Sequence, residues 1–108
     1  MGHILRHTVI VTSWSGDELA KAHTKAQELG VLTTPIIAST VNGYAHFVVL
    51  PDGSKEGWAL SAAGDERRAA LLEHLRSAAY EDGSSCLEWF EVSYGSDDGV
   101  AALCAVRA

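Results

Sequence analysis

Three things are scarce in this chain of 108 residues, and each scarcity removes a class of function. Eight basic residues stand against fourteen acidic ones, for a net charge of −6, and the bases are scattered. Neutralising a phosphate backbone requires clustered Lys and Arg, so no nucleic-acid partner is expected. Cys86 and Cys104 are the two cysteines, too few for a disulfide framework. Each falls in a strand-like run, where a reduced thiol packs as a small hydrophobe. No apolar run approaches the ~20 residues that span a bilayer. The stretch Met1-Gly2-His3-Ile4-Leu5-Arg6-His7 also lacks the apolar segment of a signal peptide. A cytoplasmic protein without membrane contact is the expectation, and no catalytic or cofactor signature offsets it.

What the chain has is turn chemistry. Asn42-Gly43, Asp52-Gly53, Asp82-Gly83 and Asp98-Gly99 border apolar runs, and such pairs tolerate the positive φ angles of tight reversals. Hydrophobic residues make up 47% of the sequence, enough for one core, and no linker or repeat divides residues 1–108, which read as a single domain.

The apolar periodicities predict the order β-α-β-β-α-β-β. A first strand over 8–13 is apolar on both faces at Val9-Ile10-Val11, as suits a central position. Ser15-Gly16-Asp17-Glu18 has the form of a capping box. Leu19, Ala22, His23, Ala26 and Leu29 then recur at helical spacing up to Gly30, the expected residue just past the helix. A strand over 35–41 takes an edge, because Pro35 cannot donate to a ladder, and Asn42-Gly43 reverses it into a strongly apolar strand over 44–50. A connection over 54–64 carries Trp58. The second helix is expected to open at Gly64 or Asp65, with Leu71, Leu72, Leu75 and Ala79 inward and Glu66, Arg67, Glu73, Arg76 and Ser77 outward. Strands over 87–94, with Trp89 and Phe90 on opposite faces, and over 100–106 complete the chain.

This order predicts an α+β fold, a ferredoxin-like two-layer sandwich with sheet order 2-3-1-4-5 and both helices on one face. If Val9, Val11, Phe47 and Val49 meet the helices, alternation turns Thr8, Ile10, Thr12, Tyr44, His46 and Val48 to the other face. That face is mixed rather than polar, and a second copy of the chain or another partner would cover its apolar part. Ile10, Tyr44, His46 and Val48 are therefore the candidate partner-binding residues. Trp58, in a Gly-flanked loop, joins them as an anchor at an interface or else seals a core edge.

Other polar groups point less clearly to chemistry. His3, His7, His23, His46 and His74 include none at a zinc-ligand spacing, and His3 and His7 are ~13 Å apart if extended, so no metal is expected. His46 beside Tyr44 has the acid-base character for proton transfer but no carboxylate at a fixed spacing, and a half-buried strand residue is the simpler reading. Ser13-Trp14-Ser15 precedes a helix N-terminus without the Gly-rich signature of a phosphate loop, leaving Ser15 as a cap and Trp14 as a packing residue. The loops 52–58 and 81–85 both contain Asp-Gly-Ser, which turn formation explains, and if the topology is right they lie on the same side of the sheet. From 77 to 106 there are six acids, Glu81, Asp82, Glu88, Glu91, Asp97 and Asp98, and no Lys or Arg. They predict a negative surface, which keeps an edge soluble or meets a basic partner.

The segments His7-Thr-Val-Ile-Val-Thr-Ser-Trp14, Asn42-Gly-Tyr44, Pro51-Asp-Gly-Ser-Lys-Glu-Gly-Trp58, Tyr80-Glu-Asp-Gly-Ser-Ser85 and Glu88-Trp89-Phe-Glu-Val-Ser-Tyr94 cover much of the chain. In them it resembles small uncharacterised proteins carried by bacteriophages and prophages. The resemblance implies a bacterial or viral cytoplasmic setting and an accessory role that binds host machinery, and it carries over no site residue. The expected function is a noncatalytic protein-binding module, a homodimer through the open sheet face. A small dimeric enzyme or ligand-binding protein with a pocket near Tyr44 and His46 is the alternative.

Overall fold

Seven elements follow one another in the computed structural model, which describes residues 6–51, 59–78, 85–95 and 102–106. They are β1 (Arg6–Ser13), α1 (Gly16–Leu29), β2 (Ile37–Ala38), β3 (Ala45–Val49), α2 (Ala59–Ser77), β4 (Leu87–Tyr94) and β5 (Ala102–Val106). The fold is α+β. β1, the strand apolar on both faces, is the centre of an antiparallel sheet. β3 pairs on one side, with Val11 opposite Phe47, and β4 pairs on the other along its whole length, from Arg6 with Tyr94 to Ser13 with Leu87. β5 lies outside β4, and the two-residue β2 lies outside β3, so the spatial order is β2-β3-β1-β4-β5.

Pro35 accounts for the late start of β2. Thr33 bridges to Val49 and the Thr34 N–H donates to the Val48 carbonyl at 2.9 Å, yet beyond the proline it is Ile37 that pairs with His46. The ladder slips by one residue across Pro35, which has no N–H to give. The strand expected over 35–41 is reduced to Ile37–Ala38, since residues 39–41 already belong to the reversal. Asn42 and Gly43 do reverse the chain, with φ of 65° and 68°, and the Ser39 N–H donates to the Tyr44 carbonyl across the loop at 2.8 Å.

α1 ends as its sequence dictates. Ser15 caps it, its hydroxyl accepting from the Glu18 N–H at 3.3 Å, and Gly30 closes it in the left-handed conformation at φ 80°. α2 differs from expectation by starting at Ala59, so that Gly64 lies inside it. The run Ala59-Leu60-Ser61-Ala62-Ala63 has high helix propensity, enough to absorb the roughly 1 kcal/mol that an interior glycine costs relative to alanine. Both helices lie on one face of the sheet. Leu19, Ala22 and Ala26 of α1 and Leu71, Leu72 and Leu75 of α2 share one core with Val9, Val11, Phe47, Val49, Leu87 and Trp89. Each of the larger of these side chains contributes on the order of 2 kcal/mol by leaving water. Cys86 is buried beside them as a free thiol, while Ala79 and the side chain of Cys104 lie outside the described residues.

One further expectation is corrected. Trp14 is not a packing residue: it stands 63% exposed in the turn between β1 and α1. The neighbour that packs is Ser13, whose buried hydroxyl donates to the Cys86 carbonyl at 2.7 Å and accepts from the Ser15 N–H at 2.9 Å. The last strand has a bulge, since Glu91 pairs with Ala105 but Val92 with Leu103. The extra residue shifts the alternation of β5 by one, which a period of two cannot track.

Candidate functional site

The face of the sheet opposite the helices is built from alternate residues of each strand. Register fixes its rows: Ile10 of β1 lies between Val48 of β3 and Phe90 of β4, and Thr8 lies beside Val92, which pairs with Leu103 of β5. A third row runs from Ile37 through His46 and Thr12 to Glu88. Among the described residues, no helix packs on this face. Its central side chains are partly buried by one another, and its margins are open, with Ile37 49% and Leu103 63% exposed.

Of the expected partner-binding residues, Ile10, His46 and Val48 lie together on this face, and Tyr44 stands exposed just before β3. Trp58 and both Asp-Gly-Ser segments fall outside the described residues apart from Ser85. β3 stops and β4 starts at opposite ends of the sheet along its strands rather than on one side, because Val49 pairs with Val9 and Leu87 with Ser13. Phe90, Val92 and Leu103 are the residues of the face that the reading of the sequence omitted. Their signal was present in β4, where the even positions Phe90, Val92 and Tyr94 are as apolar as the odd ones.

The helix side holds a different cluster, also missed. Glu91 is buried, not part of a negative surface, and it accepts from the Nε–H of Arg68 on α2. Arg68 also donates from its terminal nitrogen to Asp65 at 2.8 Å, and His7 Nδ1 lies 3.7 Å from the same Glu91 oxygen. Arg68, Leu71, Leu72 and Leu75 share one helical stripe, so an inward acid on β4 had a cation at helical spacing to meet it. The arrangement offers charge neutralisation in the core. Among the described residues, His7 Nδ1 is buried without a hydrogen-bond partner, as is Trp89 Nε1, whose ring has the Arg76 guanidinium above it at 5.4 Å.

His23 is structural. Its Nε2–H donates to the Thr34 carbonyl at 2.9 Å and its ring meets Phe47 edge-on at 5.1 Å, tying α1 to the segment before β2. His74 lines an open groove between the helices with Ala20, Lys21, Thr24, Lys25 and Glu28, remote from His46. Among the described residues, no three His, Cys, Asp or Glu side chains are grouped to hold a metal ion, and no helix is long and apolar enough to cross a membrane.

Comparison with protein-family models, with curated proteins and with solved structures finds no match to this chain. The functional reading therefore rests on the sheet face and the cluster behind it.

Proposed function

We propose that the chain is a noncatalytic protein-binding module that works through its open sheet face and pairs there with a second copy of itself. The observation that carries this reading is the apolar band of Val48, Ile10 and Phe90, flanked by Val92 and Leu103, across four adjacent strands. Removing such a band from water at roughly 25 cal/mol per Å² favours association once the loss of free motion is offset. The arrangement is read as ferredoxin-like, a two-layer sandwich extended by β5, and the role as that of a small cytoplasmic accessory protein of the bacteriophage type. A basic host protein has less to bind than the six acids first suggest. Glu91 is neutralised by Arg68, Glu88 is exposed, and the other four lie outside the described residues. A ligand-binding or enzymatic dimer is the second reading, favoured by the place of His46 between Ile37 and Thr12 on the same face.

The test is a pair of thermal melts at protein concentrations about a hundredfold apart, with mass by light scattering. A self-associating chain melts at higher temperature when concentrated and scatters as two chains. A melting temperature independent of concentration together with a single-chain mass at micromolar concentration overturns the reading.

A further inference from the structure

Among the described residues, the open face has one fixed charge at each end, Arg6 of β1 and Glu88 of β4, and none between them. Arg6 and Glu88 are its only Lys, Arg, Asp or Glu among the described residues, and they mark opposite ends: Arg6 pairs with Tyr94, whereas Glu88 pairs with Thr12. Six residues of extended strand separate Arg6 from Thr12, about 20 Å, with the apolar band in the middle. Such a polarised face can meet a copy of itself in two aligned ways. A two-fold axis along the strands sets Arg6 against Arg6 and Glu88 against Glu88. An axis across the strands runs the two β1 strands antiparallel and sets each Arg6 over the end of the face that carries Glu88 in the other chain.

Resting on the reading of the face as a self-association surface, we propose that the charges select the second arrangement. Arg6 of one chain pairs with Glu88 of the other, twice per dimer. The two pairs are the specificity-determining contacts, and the apolar rows supply the attraction. In this orientation the row of Thr8 and Val92 also lies over the row of Ile10 and Phe90 of the second chain, so small side chains meet large ones. The two pairs sit at the rim of the contact, within reach of salt, so they set orientation and selectivity more than strength.

The experiment compares the native chain with Arg6→Glu, with Glu88→Arg, and with an equimolar mixture of the two variants, by sedimentation equilibrium. Circular dichroism confirms that each is folded, and both residues lie outside the core. Each variant alone carries one sign at both ends, so symmetry doubles the repulsion and the dimer dissociation constant rises by roughly tenfold. The mixture restores both pairs in a heterodimer, with a dissociation constant within about threefold of the native one, and added salt narrows the difference. Variants that dimerise like the native chain, or a mixture no tighter than its components, overturn the charge register while leaving self-association intact. A native chain that stays monomeric overturns the underlying reading of the face instead.

Discussion

Arg68 on α2 and Glu91 on β4 form an ion pair between the helices and the sheet, with side chains only 17% and 10% exposed. Removing one partner leaves a charge in a poorly hydrated place with only its remaining neighbour, Asp65 for Arg68 or His7 for Glu91. Glu91→Ala is expected to destabilise the fold by about 2 kcal/mol, within the range for hydrogen bonds to charged groups. Replacing both partners, Arg68→Met with Glu91→Leu, recovers most of that loss, because the one charge that loses its partner, Asp65, is half exposed and stays hydrated. A denaturant double-mutant cycle checks this, and additive effects of the two single substitutions would mean that the pair is not coupled.

The turn from β1 into α1 predicts an order of severity. Ser15→Ala removes an N-cap and costs about 1 kcal/mol. Ser13→Ala costs more, because it leaves the Cys86 carbonyl and the Ser15 N–H without the buried hydroxyl that serves both. Denaturation midpoints of the two variants give the order directly. A Ser13→Ala chain as stable as the native one would show that water replaces the hydroxyl.

How far the sequence spoke depended on whether the information was local. The cap at Ser15, the stop at Gly30 and the reversal at Asn42-Gly43 are set by side chains acting on their own backbone, and each is found where the residues put it. The inward alternation of Val9, Val11, Phe47 and Val49 was legible for a similar reason, since four apolar side chains in phase leave one choice of face. The misreadings needed neighbours. Gly64 punctuates a helix only if its surroundings do not outweigh it. Glu91 counts as a surface acid until Arg68 is known to lie across from it. Half of the open face belongs to β4 and β5, and the bulge at Glu91 and Val92 hides which residues of β5 share it.

Cys86 supplies a prediction about reactivity. Its thiol is buried and free, so in a Cys104→Ser chain it should react with a thiol reagent only as fast as the fold opens. In the native chain, reductant should leave the melting temperature unchanged. Rapid labelling of Cys86 under native conditions would place it at the surface, and a large drop in melting temperature with reductant would reveal a disulfide.

The two faces of β3 give a paired prediction. Val49→Lys puts a charge into the core beside Val9 and should unfold the domain, whereas Val48→Lys, one residue earlier, points to the open face and should leave the fold stable to within about 1 kcal/mol. Circular dichroism and denaturant melts separate the two outcomes. A Val48→Lys chain that unfolds would reverse the assignment of the faces.

Self-association through the open face is tested most directly by sedimentation of the native and Val48→Lys chains side by side at micromolar concentration. The account predicts the mass of two chains for the native protein and of one chain for Val48→Lys, with the fold retained in both. A native protein that sediments as a single chain, or a Val48→Lys dimer as tight as the native one, contradicts it.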